Sequence, residues 1–263
     1  MSKQVRGVTS QGKEWWVLCP NISVYSFAVN PKKINYLEIF YYFCQSLLKD
    51  DTLNLTSQEK RDVSLKSLIE LDNKVVAIKY LAAECQKKAH ILINRKDKKK
   101  KIYDSKPYQI FLVLCESYLD TLHSIYNLIT NLDKLLKKDF SKKINNEEWF
   151  NIDIDLRNVF HHSQSPLVST NQNDISFIFE KLPRDPRFLN ESMRNQNGRF
   201  EFSLSCENLG SDILTFLQKW AKSYIDLIND NEVAEVVTGH YKDGRTKTKK
   251  ITLGQIKLNL NQI

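Results

Sequence analysis

The sequence predicts a mainly α fold, an up-and-down helical bundle that carries two small β-hairpins. Three observations lead there. Apolar residues recur at alternating steps of four and three over one long stretch, and a second long stretch carries an apolar stripe of its own, as amphipathic helices do. A lysine-rich run separates these stretches, so that two long helices fold back around a solvated turn. Two later segments alternate with a period of two, the pattern of half-buried strands.

Residues 1–34 form an N-terminal segment with short strands, and its aromatics, Trp15, Trp16, Tyr25 and Phe27 among them, suit core packing better than base stacking. A first helix is expected over Asn35 to Leu48. The next is long: Leu71, Val75, Ile78, Ala82, Cys85, Ala89 and Leu92 share one face, and Thr56-Ser57-Gln58-Glu59 offers cap residues for an earlier start. It runs into Arg95-Lys96-Asp97-Lys98-Lys99-Lys100-Lys101, where like charges repel and discourage packing. Pro107 suits the first turn of the second long helix, whose stripe is Ile110, Val113, Leu114, Leu122, Ile125, Ile129, Leu132 and Leu136.

A third helix is expected over Glu147 to His161, with Trp149, Ile152, Leu156 and Phe160 on one side and Pro166 preventing continuation. Ser211 is placed to cap a helix carrying Ile213, Leu214, Leu217, Trp220, Tyr224 and Leu227. Between these two helices, Ile175, Phe177 and Phe179 alternate, as do Phe200, Phe202 and Leu204, and the two runs read as one hairpin. Their connection holds Pro183, Arg184, Pro186, Arg187, Arg194 and Asn197-Gly198, longer than a hairpin turn needs, and is expected near the functional cleft. A second, basic hairpin follows Asn231 with Asp243-Gly244 as its turn. The expected organisation is therefore the segment 1–34, a helical domain over 35–229 with the first hairpin inserted near 174–205, and a C-terminal β-hairpin extension over 230–263.

Composition narrows the function. The chain of 263 residues is 41% hydrophobic, enough for a sizeable core, so global disorder is excluded. Its 39 Lys and Arg against 31 Asp and Glu give a formal charge of +8, which favours polyanionic partners through counterion release. No apolar run is long enough to cross a bilayer, and the polar start Met1-Ser2-Lys3-Gln4 lacks a signal-peptide core, which points to a cytoplasmic protein with no membrane partner. The five cysteines are scattered without a CxxC pair or histidines at zinc-ligand spacing, so they read as buried reduced thiols rather than a metal site. With seven glycines and no glycine-rich phosphate loop, a Walker-type site is excluded, and no cofactor is expected.

The densest chemistry lies in Asp155-Leu156-Arg157-Asn158-Val159-Phe160-His161-His162-Ser163, which gathers a permanent cation, an amide and two imidazoles within two helical turns. Its bland reading pairs Arg157 with Asp153 or Asp155 and leaves the histidines to cap carbonyls. On a helical wheel Arg157 and His161 share nearly the same edge while His162 points away.

This segment resembles the HEPN superfamily, whose signature is an Arg, four to six residues, then a His, often with a polar residue after the Arg. Arg157-Asn158-Val159-Phe160-His161-His162 has that spacing with His162 as the motif histidine, and the helical pattern over about Asn35 to Asn229 is similar to the family's. The resemblance implies a HEPN-like bundle and a metal-independent endoribonuclease acting as a homodimer, a toxin or antiviral defence effector with a cognate antitoxin or regulatory protein as partner. Arg157 would then hold the phosphate, Asn158 would orient it or the imidazole, His162 would transfer protons and His161 would assist. Because the wheel turns His162 away from Arg157, three arrangements stay open: the helix frays before His162, His162 reaches Arg157 of the other protomer, or His161 is the more important imidazole. Lys98, Lys99, Lys100, Lys101, Arg184 and Arg187 are candidate RNA contacts. His123, beside the stripe of the second long helix, reads as a partly buried structural histidine. The alternatives are a noncatalytic HEPN-like module binding RNA or nucleotide, and a structural helical interaction protein.

Overall fold

The computed structural model describes residues 3–8, 14–19, 36–47, 57–94, 105–162, 167–170, 174–179, 200–205, 209–240 and 246–261. In chain order they form β1 (Lys3–Val8), β2 (Glu14–Cys19), α1 (Tyr36–Leu47), α2 (Ser57–Ile93), α3 (Lys106–Leu135), a 3₁₀ turn (Phe140–Asn146) and α4 (Glu148–His162). Then come β3 (Leu167–Thr170), β4 (Asp174–Phe179), β5 (Phe200–Ser205), α5 (Ser211–Ile225), β6 (Val233–His240), β7 (Thr246–Thr252) and α6 (Leu253–Asn261). The fold is mainly helical with small antiparallel sheets, of order β1-β2, β3-β4-β5 and β6-β7. Among the described residues no helix is long and apolar enough to cross a membrane.

Two compact units share these elements. The first comprises Met1–Asn73, Asn131–Phe140 and Phe216–Ile263. Its core forms where the apolar face of α1, Leu37, Ile39, Phe40 and Phe43, meets Trp220, Ala221 and Tyr224 of α5. Phe40 lies edge-on to Trp220 with centroids 4.9 Å apart and 5.1 Å from Tyr224, and Phe140 closes edge-on against Tyr224 at 4.9 Å. Asp133 is buried under these rings. Trp220 Nε1 donates to its Oδ1 at 2.8 Å and Tyr224 Oη donates to the same oxygen at 2.5 Å.

The basic hairpin pairs Val233 with Thr252 and His240 with Thr246, with a register shift between Val237 and Gly239. It leads into α6, a helix absent from the expected C-terminal β-hairpin extension. The signal was present as Thr252-Leu253-Gly254-Gln255: the Gln255 N–H donates to Thr252 Oγ1 at 3.2 Å and the Thr252 N–H donates to Gln255 Oε1 at 2.9 Å, a reciprocal capping box. Gly254 lets the chain approach Asp230 closely, since its N–H reaches Asp230 O at 2.8 Å and a Cβ would meet that oxygen at 3.2 Å.

The second unit comprises Lys74–Thr130 and Ser141–Thr215 and contains the motif segment. All the α2 stripe positions within it are buried as the periodicity predicts, Val75, Ile78, Ala82, Cys85, Ala89 and Leu92. Cys85 and Cys115 are buried thiols, not joined in a disulfide, with their Sγ atoms 4.0 Å apart, and they lie at about equal setbacks from the α2–α3 connection, as in an antiparallel helical hairpin.

The stripe of α3 is rotated at its start relative to the expectation. Val113 is exposed and Ile110 and Leu114 are half-buried, while Tyr108, Phe111, Cys115 and Tyr118 are inside. The reason is phase: extending back from Leu122, Ile125 and Ile129 by 3.6 residues per turn reaches Tyr118, Cys115, Phe111 and Tyr108, and the aromatic rings are the larger apolar surface to bury.

The strand pairing follows the alternation, with Phe179 opposite Phe200, Phe177 opposite Phe202 and Ile175 opposite Leu204. A third strand, β3, adds to the far side of β4 with Leu167 opposite Ile178. Phe177 stacks on Phe111 of α3 at 5.9 Å and lies edge-on to Phe160 of α4 at 5.6 Å, so the sheet sits against both helices. The cap of α5 falls one residue before the expected Ser211. Gly210 accepts the first helical bond from Leu214, has φ +83°, and brings its Cα so near α2 that a Cβ would meet Ala82 Cβ at 3.0 Å.

The buried carboxylate of the first unit makes a direct test. Asp133→Ala strands the indole N–H and the phenol O–H without an acceptor, and a loss of about 3 kcal/mol or more in unfolding free energy is expected. Urea denaturation followed by tryptophan fluorescence measures it, with Asp133→Asn, which keeps one acceptor oxygen, falling between the two.

Candidate functional site

Helix α4 forms because its start is well prepared. The 3₁₀ turn delivers the chain, the Asn151 side chain donates back to Asn145 O at 2.9 Å, and Glu148 sits in the first turn, where a carboxylate complements the helix dipole. Leu156 and Val159 are buried, and this fixes which edge of α4 turns toward α3. The two helices run antiparallel: the Phe150 ring is 5.0 Å from Tyr126, Arg157 meets Asp120, and His161 meets both Asp120 and Glu116.

Along this contact the apolar packing gives way to a charged seam. Arg157 Nε donates to Asp120 Oδ1 at 2.7 Å, and His161 Nε2 lies 2.9 Å from the same oxygen. The other ring nitrogen of His161, Nδ1, is 3.9 Å from Glu116 Oε1. Solvent reaches all three partners of the inner contact, with side-chain exposures of 26% for Arg157, 34% for His161 and 42% for Asp120. At such exposure an ion pair contributes at most about 1 kcal/mol to stability, so the arrangement does little to hold the fold together.

The electrostatics follow from the sharing. Partial burial alone would raise the Asp120 carboxyl, but the hydrogen bonds from His161 and Arg157 and their charges outweigh it and hold the group below the usual carboxylate range. Asp120 is therefore an anion at neutral pH, an acceptor for the guanidinium and the imidazole alike. Nε of Arg157 is spent on it, while the Nη groups make no hydrogen bond among the described residues and remain a fork of donors for a second anion.

One turn further along α3 lies His123. Burial and the Arg157 guanidinium both push its imidazole below the ordinary histidine value, with Asp120 opposing, so the ring is neutral at pH 7. Its Nδ1 is covered by protein and has no hydrogen-bond partner, and its ring sits 6.4 Å from that of Tyr126.

Of the residues singled out in the sequence, Arg157 and His161 are thus brought together, on Asp120 rather than on Asp153 or Asp155. Asn158 is exposed on the next position of α4. His162 closes α4, and its side chain lies outside the described residues, as do Lys98, Lys99, Lys100, Lys101, Arg184 and Arg187. The strands that bracket the segment with Arg184 and Arg187 end at Phe179 and begin again at Phe200, and Phe179 is edge-on to Phe160, the neighbour of His161, at 6.3 Å. Among the described residues no group of three or more His, Cys, Asp and Glu is assembled as a metal ion would need.

Three members of the seam, Glu116, Asp120 and His123, were not singled out from sequence as parts of a site. A signal exists: they are spaced by four and three, the same step as the apolar stripe beside them, so they line one edge of α3.

Fold and seam together define a mainly helical protein in which two antiparallel helices present a solvent-reached cluster of one guanidinium, two imidazoles and two carboxylates. The chain matches no protein-family model, no curated protein and no solved structure.

A second polar group in the same unit centres on Asp153, one turn before Arg157 on α4. Burial, and then the charge of Asp212, pushes the Asp153 carboxyl up to about 7. Tyr118, whose oxygen accepts the Gly210 N–H at 3.1 Å, is raised as well, by burial and then by the charge of Asp153. The sign of the linkage is clear. Between the unfolded value near 4 and about 7, folded Asp153 holds a proton that the unfolded chain has released, so stability falls as pH rises through this window. Asp153→Asn is expected to raise the melting temperature at pH 8, by a free energy on the order of a few kcal/mol, and to make little difference at pH 4. Thermal unfolding of both proteins across that range checks it.

Proposed function

We propose that this chain is a metal-independent endoribonuclease of the HEPN type, with its active site on the α3–α4 seam and RNA as its substrate. The observation that carries the reading is the convergence of Arg157 and His161 on one oxygen of Asp120, on an edge that solvent reaches. RNA supplies its own nucleophile, the 2′-hydroxyl, so cleavage needs a cation at the phosphate and groups that move protons. The Nη groups of Arg157 hold the nonbridging oxygens. His161, oriented by Asp120, protonates the departing 5′-oxygen, as a carboxylate-held imidazole is suited to do. Asn158, exposed beside Arg157, is available to the same phosphate. The formal charge of +8 attracts the polyanion over longer distances.

The resemblance extends the proposal to a homodimer, with His162 contributing across the subunit boundary, and to a toxin or defence effector restrained by a cognate protein. A second reading is favoured by the same contact: Arg157 already has an anionic partner in Asp120, and a noncatalytic module would bind RNA there without cutting it.

Incubation of mixed cellular RNA with the purified protein in the presence of chelator, read on a denaturing gel, separates these. Cleavage to products with 2′,3′-cyclic phosphate ends is expected. His161→Ala and Arg157→Ala are each expected to lower the rate by about 10²- to 10⁴-fold, the range for loss of a general acid or an oxyanion donor. Retained RNA binding without cleavage by the wild type supports the second reading and rejects the first. A rate unaffected by Arg157→Ala rejects the assignment of the seam as the active site.

A further inference from the structure

We propose that His123 is the proton acceptor of this reaction, taking the proton of the ribose 2′-hydroxyl on one side of Arg157 while His161 supplies a proton to the 5′-oxygen on the other. The inference rests on the nuclease reading of the seam and adds a residue that the Arg-to-His motif does not contain.

Position comes first. In-line displacement at phosphorus puts the entering and leaving oxygens on opposite sides, so acid and base must flank the group that holds the phosphate. Along α3 the order is Glu116, Asp120, His123. His161 lies against the first two, and the Arg157 guanidinium lies against Asp120 and is felt by His123. The antiparallel alignment of the two helices puts position 123 about 4.5 Å along α3 beyond Asp120, away from Glu116 and His161, so along the contact the two imidazoles fall on opposite sides of the level of Arg157.

The state of the ring comes second. A base must be neutral when the substrate arrives, and burial together with Arg157 keeps His123 so at pH 7 against the opposing charge of Asp120. Among the described residues the charges that act on the ring are Arg157 from α4 and Asp120 from α3, Tyr126 lies in ring contact with it, and Asp153 stands one turn before Arg157 on α4. No hydrogen bond or ion pair among the described residues occupies the ring, and Nδ1 is covered, which leaves Nε2 as the nitrogen that a ligand reaches. A phosphodiester seated at Arg157 also offsets the guanidinium charge. The imidazole thereby becomes a stronger base only once substrate is bound.

The step balances without a co-reactant. The 2′-oxygen forms its bond to phosphorus as its proton passes to His123, and the bond from phosphorus to the 5′-oxygen breaks as that oxygen takes a proton from His161. The products are a 2′,3′-cyclic phosphate and a 5′-hydroxyl, and exchange with water resets both rings.

The experiment is a pH–rate profile on a mixed-sequence oligoribonucleotide with chelator present, comparing wild type, His123→Gln and His123→Ala. Wild type is expected to lose rate on the acid side as His123 takes up a proton. His123→Gln is expected to cut kcat by about 10²- to 10⁴-fold, abolish that acid limb and leave KM unchanged, and free imidazole restores part of the rate to His123→Ala. If wild type cleaves and both variants keep its rate and profile, the assignment of His123 is overturned while the nuclease reading stands. If wild type does not cleave, the reading falls and takes this inference with it. A measurement on wild type, independent of whether either variant folds, runs alongside: the His123 ring resonances must shift when the uncleavable 2′-deoxy oligonucleotide is added, and resonances that stay still overturn the proposal.

Discussion

At the contact between α3 and α4, a few residues decide whether this protein is only a bundle or also a site, and Asp120 is the one on which the others depend. Its carboxylate is the common acceptor for a guanidinium and an imidazole that lie one turn apart on α4. Without an anion there, Arg157 would lose its one described partner, and the imidazole would keep only the longer contact with Glu116. With the anion, each is fixed in direction while the outer edge of the guanidinium stays open. The same carboxylate sets the balance at His123, where it partly opposes the effects of burial and of Arg157.

The surroundings explain how a half-exposed cluster keeps its geometry. Leu156 and Val159 on α4 and Leu119 and Leu122 on α3 are buried immediately beside the polar residues, and Phe160 is gripped by Phe177 and Phe179 of the sheet. The rigidity comes from apolar packing, which is worth far more than a solvent-reached ion pair. The charged side chains are oriented by one another on that rigid support instead. Asp133 does the opposite in the first unit, where burial makes its hydrogen bonds to Trp220 and Tyr224 structural.

Much of this was legible in particular residues. The α2 stripe, the alternation of Phe177 and Phe179 and of Phe200 and Phe202, and the placement of Trp220 inside all follow from local periodicity. Where reading failed, the reason was also local. Val113 and Leu114 look as apolar as Phe111 and Cys115, and only the requirement that the whole of α3 keep one phase decides between the two sets. β3 is four residues long and too short to show a period. The capping box of α6 follows a strand without a loop, so its Thr252 reads as the end of one element rather than the start of another.

By itself, then, the sequence determined that the chain is mainly helical, where its long helices lie, and that Arg157 and His161 share an edge of α4. What it left to the tertiary structure was the partner of that edge. Asp120 is 37 residues from Arg157 and 41 from His161, and no local pattern specifies how two antiparallel helices are aligned along their length. That alignment is set by the sum of many apolar contacts across α3, α4 and the sheet, and it places the carboxylate, rather than the nearer Asp153 or Asp155, between the cation and the ring.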